Sequence, residues 1–157
     1  MNAVELVDAL QSVAKECVRN YVLETNRPDL TKAPQVVAGY LPAKRPKDQP
    51  DAVPDLPYVI VRLLRGEDQG NGSTATVKIL IGTHSEAEQD GWRDAANIIE
   101  RIRIELLKHR TVARRFRLEL PLTYELPEEQ PYPEWVGWLE TRWALAQPQE
   151  EVQYEQE

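Results

Sequence analysis

From Phe116 to Leu126 the apolar residues Phe116, Leu118, Leu120, Leu122, Tyr124 and Leu126 alternate without interruption against Arg117, Glu119, Pro121, Thr123 and Glu125. Only a period of two sends successive side chains to opposite faces, so this run predicts a strand with one buried side. Pro127 to Pro133 then reads as a proline-stiffened connection into a second strand, about 135 to 145, that carries Trp135, Trp138 and Trp143. Trp135 and Trp143 share parity and Trp138 does not, so at least one of the three is expected to face away from the core. A chain that invests in sheet and in large aromatic surface, with no catalytic group in this stretch, points to a protein whose work is fitting against other proteins.

The N-terminal half supplies the partners of these strands. Asn2 followed by Glu5 is a helix-capping pattern, and Leu6, Leu10, Val13, Cys17 and Tyr21 recur at spacings of three and four, which predicts a first helix over about 3–23. Seven of the twelve prolines fall between Glu24 and Pro57, a density that excludes a long helix or a central strand and predicts a long connection there, functional or ordered by a partner. Tyr58–Leu64 and Thr74–Thr83 read as two strands, and the Gly66–Ser73 stretch between them has the residues of a hairpin loop, so they are expected to pair antiparallel. Ser85 with Glu88 resembles a capping box, and Trp92, Ala95, Ile99, Ile102 and Leu106 form one stripe of a second helix over about 86–109. The order α-β-β-α-β-β predicts an α+β two-layer sandwich, with a mainly antiparallel four-stranded sheet and both helices on one face. One domain over residues 1–148 and a loose acidic tail over 149–157 complete the expectation.

Charge is unevenly placed. Residues 93–117 carry 8 basic and 3 acidic groups, whereas 118–157 carry 1 and 10, within a net charge of −7. Opposed patches of this kind suit head-to-tail packing of identical subunits. Duplex-binding proteins gather positive charge on one face, and here the sum has the wrong sign, so sequence-specific DNA binding is not expected. No stretch approaches the roughly 20 apolar residues of a membrane span, and no charged start precedes an apolar run; the chain is expected to be soluble, without export by a signal of its own.

Chemistry finds little support. His84 and His109 lie 25 residues apart at opposite ends of the second helix and cannot meet within one subunit. Neither has a cysteine or second histidine at metal spacing, so no metal site is expected. Glu119 and Glu125 share a strand face but stand about 20 Å apart along an extended chain, too far for a pair of glycosidase carboxylates. Gly70, Asn71 and Gly72 lack the Gly-Lys-Ser/Thr ending of a phosphate loop. The single cysteine, Cys17, falls on the apolar stripe of the first helix and reads as a buried thiol. No catalytic, cofactor-binding or metal-binding residue is assigned, and no cofactor is expected.

The segments Gly91-Trp-Arg-Asp94, Ile99-Glu-Arg-Ile102, Phe116-Arg-Leu-Glu-Leu-Pro-Leu122 and Pro131-Tyr-Pro-Glu-Trp-Val-Gly-Trp-Leu-Glu-Thr-Arg-Trp143 resemble the tail terminator, or tail completion, family of long-tailed bacteriophages. At residue level the resemblance is confined to roughly 80–145, and the proline-rich segment and the acidic tail match no motif of it. It implies a small α/β subunit that forms a hexameric ring on the head-proximal end of the tail tube. Such a ring stops tube polymerisation and presents a surface to a head completion or connector protein, while genome DNA passes through without specific binding. The implied setting is the virion tail, assembled in the bacterial host cytoplasm, with no membrane partner and no catalysis. The residues expected at a subunit or partner interface are Arg114, Arg115, Glu128, Glu129, Trp135 and Trp138. Two other readings stay open: another neck component, such as a head-tail connector or minor capsid protein, and a small accessory module that holds a ligand with its proline-rich loop.

Overall fold

The computed structural model describes residues 2–42 and 55–153. The chain runs through α1 (Ala3–Val18), β1 (Leu23–Glu24), β2 (Thr31–Lys32), β3 (Gln35–Ala38), β4 (Tyr58–Gln69), β5 (Gly72–His84), α2 (Trp92–Lys108), β6 (Thr111–Val112), β7 (Phe116–Glu125) and β8 (Glu134–Leu145). Six of the strands form one sheet in the order β3-β4-β5-β8-β7-β6, and β1 and β2 form a separate antiparallel pair. β3 runs parallel to β4 while the other neighbours are antiparallel, so the sheet is mixed.

The four-stranded sheet expected from the sequence is therefore incorrect. The two added strands sit at the margins and are short, four residues in β3 and two in β6. Neither is long enough to show an alternation, and β3 lies inside the segment whose prolines argued for a connection. Pro34 precedes β3 and no proline interrupts it, which is the placement an edge strand tolerates. Residues 43–54 of the proline-rich segment lie outside the described residues, as do 154–157 of the acidic tail.

Both helices are also shorter than their stripes suggest. Asn2 caps α1, its Oδ1 accepting the Glu5 N–H at 3.0 Å. The helix stops at Val18 because the Tyr21 N–H turns back to the Val18 carbonyl at 3.0 Å, closing the last turn tightly while leaving Tyr21 against the core. Ser85 does not cap α2. Its Oγ accepts the Ala87 N–H at 3.2 Å in a local turn, and the helix begins at Trp92 after Gly91. A Cβ on Gly91 would lie 2.4 Å from Trp135 Nε1, so the close approach of that indole requires glycine at this corner.

The core lies between the helices and one face of the sheet. Leu6, Leu10 and Val18 of α1 and Ile98, Ile102 and Leu106 of α2 meet Val59, Val61, Val77, Ile79, Ile81, Leu139 and Trp143. These strand residues share one parity, the signature of a single buried face. Trp143 is fully buried, and its Nε1–H donates to Thr141 Oγ1 at 2.8 Å, while the Thr141 hydroxyl donates to the Val77 carbonyl at 2.8 Å. Thr141 thereby ties the indole to the backbone of the neighbouring strand.

Replacing Thr141 by valine keeps the volume and strips the indole of its acceptor. The expected outcome is a loss of about 1–3 kcal/mol, the cost of a buried donor left unpaired, read as a lower midpoint in denaturant unfolding. An unchanged midpoint would show that Trp143 finds another partner.

Candidate subunit interface

The residues expected at an interface fall into two groups at opposite ends of β7. Arg114 and Arg115 precede its first residue and Glu128 and Glu129 follow its last, so about 30 Å of strand separates them. The structure does not bring the two groups together within one chain.

At the basic end α2 finishes on Lys108 with Arg110 just beyond it, and β6 turns into β7 through Ala113 and Arg114, whose φ angles are 52° and 59°. Two consecutive left-handed residues without glycine cost about 1–2 kcal/mol each. The turn is held by the Arg115 N–H donating to the Val112 carbonyl at 3.2 Å. Arg115 also reaches Glu5 in the first turn of α1, with a 3.6 Å ion pair. Lys108, Arg110, Arg114, Arg115 and Arg117 are all exposed here.

At the acidic end two loops far apart in sequence are stitched together. The Ser85 N–H donates to the Pro133 carbonyl at 3.0 Å, Tyr132 Oη to the Glu86 carbonyl at 2.7 Å, and Trp135 Nε1–H to the Ser85 carbonyl at 2.9 Å. Gln130 braces the second loop, its amide donating to the Pro127 and Val136 carbonyls and accepting the Val136 N–H. Glu86, Glu88, Asp90, Glu128, Glu129 and Glu134 are thus gathered, all exposed. Residue order alone could not show that the 85–90 loop joins the 127–134 loop, because the bonds that join them are backbone and aromatic contacts.

The tryptophans divide as parity requires. Trp135, 8% exposed, packs edge-on to Tyr132 at 6.1 Å and serves as the post around which the acidic loops are built. Trp138 lies half-buried on the opposite face of the sheet, with the Lys78 ammonium 4.2 Å above its ring. On that same face a groove of about 480 Å³ is lined by Arg65, Thr74, Thr76, Thr123, Glu140 and Arg142, and no sequence signal marked it. Ion pairs cross it, Arg65 to Glu140 and Arg142 to Glu119, each at 3.2 Å.

His109 Nδ1 lies 3.0 Å from Glu105 Oε1 at the end of α2, remote from His84 at the end of β5. Among the described residues no group of three or more His, Cys, Asp or Glu could hold a metal, and no helix is long and apolar enough to cross a membrane.

No family model matches the sequence. No curated protein matches it. Among solved structures, a chain described as "Virion of native gene transfer agent (GTA) particle" is similar with a TM-score of 0.45 and 15% identity, over 94% of this chain and 100% of that one. The likeness is a loose one of overall shape.

Cys17 is half-buried on α1, and burial, with Glu105 next in effect, pushes its thiol up to about 11 from an ordinary 9.0. A raised value leaves about a hundredfold less thiolate at pH 8, partly offset by the greater nucleophilicity of a more basic thiolate, so its reaction with a disulfide reagent is expected to run roughly tenfold slower than that of an unperturbed thiol. Rates matching the unfolded chain would show that α1 opens readily.

Proposed function

We propose that this protein is a structural subunit of a phage-type virion, forming a ring that caps the head-proximal end of the tail tube, stops tube growth and offers the surface to which a head-side protein joins. The observation that carries a ring-forming role is the separation of opposite charge to the two ends of one rigid sheet. Arg114 and Arg115 project from a strained turn at one end, and a bound-together acidic pair of loops containing Glu128 and Glu129 stands at the other. A protomer built this way is complementary to a second copy of itself in a head-to-tail sense, and head-to-tail contacts close into rings when the rotation allows.

The choice of a tail cap among ring-forming proteins comes from the sequence resemblance at 80–145. In this reading the chain is not an enzyme and takes no cofactor; its partners are further copies of itself, the tail tube protein and a head completion or connector protein. The −9 carried by residues 118–157 suits a passage that repels DNA rather than holding it.

Electron microscopy of the purified protein mixed with polymerising tail tube protein from the same gene cluster tests the proposal. A ring seated at one end of tubes that have stopped growing is the expected result; tubes that grow freely with bare ends would overturn it. Reversing the charge at both Arg114 and Arg115 is expected to weaken ring formation, and unchanged assembly would remove the opposed ends as its cause.

A further inference from the structure

The sheet has two long outer sides that no strand pairs among the described residues. β3 covers β4 only along Tyr58–Val61, which leaves the outer side of β4 open toward Gln69. Among the described residues, β6 and the preceding Arg110 cover β7 from Phe116 to Leu118, whose N–H donates to the Arg110 carbonyl at 2.7 Å, which leaves the outer side of β7 open from Glu119 toward Glu125. Uncovered edges invite association, and natural proteins either blunt them or use them.

The rows of paired residues that cross the sheet connect one open side to the other. Leu63 pairs with Val77 and Val77 with Thr141, which faces the irregular Leu120–Leu122 stretch of β7. Arg65 pairs with Thr76, Thr76 with Arg142 and Arg142 with Glu119. Glu67 pairs with Thr74, Thr74 with Ala144 and Ala144 with Arg117. The first two rows therefore end in groups that attract, leucine with leucine and arginine with glutamate, whereas the third continues from Arg117 to Thr111 of β6. The apolar groups are solvent-facing, with Leu63 38% and Leu64 41% exposed on one side, Leu120 54% and Tyr124 48% on the other, and Ile104 of α2 44% exposed. The strand sense fits as well, since β4 and β7 run in opposite directions and a copy set beside another would continue the antiparallel alternation.

We propose that these two sides are the halves of one heterologous contact between copies of this chain, the Leu63–Arg65 side of one copy seating on the Glu119–Tyr124 side of the next. The inference rests on the ring-subunit reading but places the contact that closes the ring on the sides of the sheet instead of its charged ends, so it requires that charge reversal at Arg114 and Arg115 leave ring formation intact. Pro121 lacks an N–H, and both strands carry a register shift, at Leu63/Arg65 in β4 and at Glu119/Thr123 in β7, so side chains rather than a continuous hydrogen-bonded ladder carry the contact. Arg65 and Glu119 already have partners within the chain, Glu140 and Arg142, both at the surface; on assembly these pairs merge into one network.

The full chain is tested by sedimentation velocity and electron microscopy, with and without tube protein. Leu120→Glu is expected to weaken self-association about tenfold or more, and Leu63→Glu likewise, since each removes an apolar anchor at the centre of the contact. An equimolar mixture of the two variants is expected to give dimers and nothing larger, because one intact pair of sides remains between them. Tyr124→Glu replaces Leu120→Glu where that variant fails to fold by circular dichroism. Variants that assemble as the wild type does, a mixture that stays monomeric, or a wild-type chain that never self-associates would each overturn the inference. Variants that still cap tubes would overturn it and leave the tail-cap reading standing. Wild-type rings held by these sides that fail to stop tubes would do the reverse.

Discussion

The rest of the fold hangs on the antiparallel pairing of β5 with β8, twelve residues in unbroken register from Ser73 opposite Leu145 to His84 opposite Glu134. These two strands are central, so a slip of one residue would turn Val77, Ile79, Ile81, Leu139 and Trp143 from the core to the outer face. Thr141 holds the register by bonding both the Trp143 indole and the Val77 carbonyl. The helices, the outer strands and the loops at both ends are placed relative to this pair.

Its length also decides where charge goes. Strands of this extent carry the β6–β7 turn and the joined 85–90 and 127–134 loops to opposite ends of the molecule, about 30 Å apart, and turn an uneven linear distribution of charge into a polar particle. The order of the strands then sets what stands at the sides. Because β3 and β6 are short, the outer halves of β4 and β7 have no neighbouring strand among the described residues, and a crossing row brings Arg65 into line with Glu119. Charge thereby stands at the ends of the sheet, and exposed apolar strand residues at its sides.

Much of the architecture is legible from periodicity. The alternation of Phe116–Leu126 and the hairpin composition at Gly66–Ser73 lead to β7 and to the antiparallel β4–β5 pair. The stripe through Ala95, Ile99, Ile102 and Leu106 leads to α2, though not to its start, because Ser85 satisfies a turn and the Trp135 indole occupies the corner where a longer helix would begin. The alternation of β7 also overstates its burial: Leu120 and Tyr124 keep the apolar parity yet stand about half exposed, Tyr124 with the Arg103 guanidinium of α2 over its ring. β3 and β6 are invisible to any pattern, since a segment of two to four residues has no period and owes its strand conformation to the neighbour it pairs with.

Of the residues expected at an interface, the sequence singles out the charged pairs by composition and the tryptophans by size, but not their separate fates. Trp135 became a post within the acidic end, and Trp138 part of the opposite face, because parity assigns sides without saying which side is covered. What the sequence determined by itself is local: strand or helix, which faces are apolar, and how much charge each segment carries, all consequences of side-chain spacing along one chain. Only the tertiary structure decided which segments are neighbours, and hence that two loops share one acidic end and that β4 and β7 stand on opposite sides of the central pair. Neighbourhood depends on long-range pairing, for which spacing along the chain holds no measure.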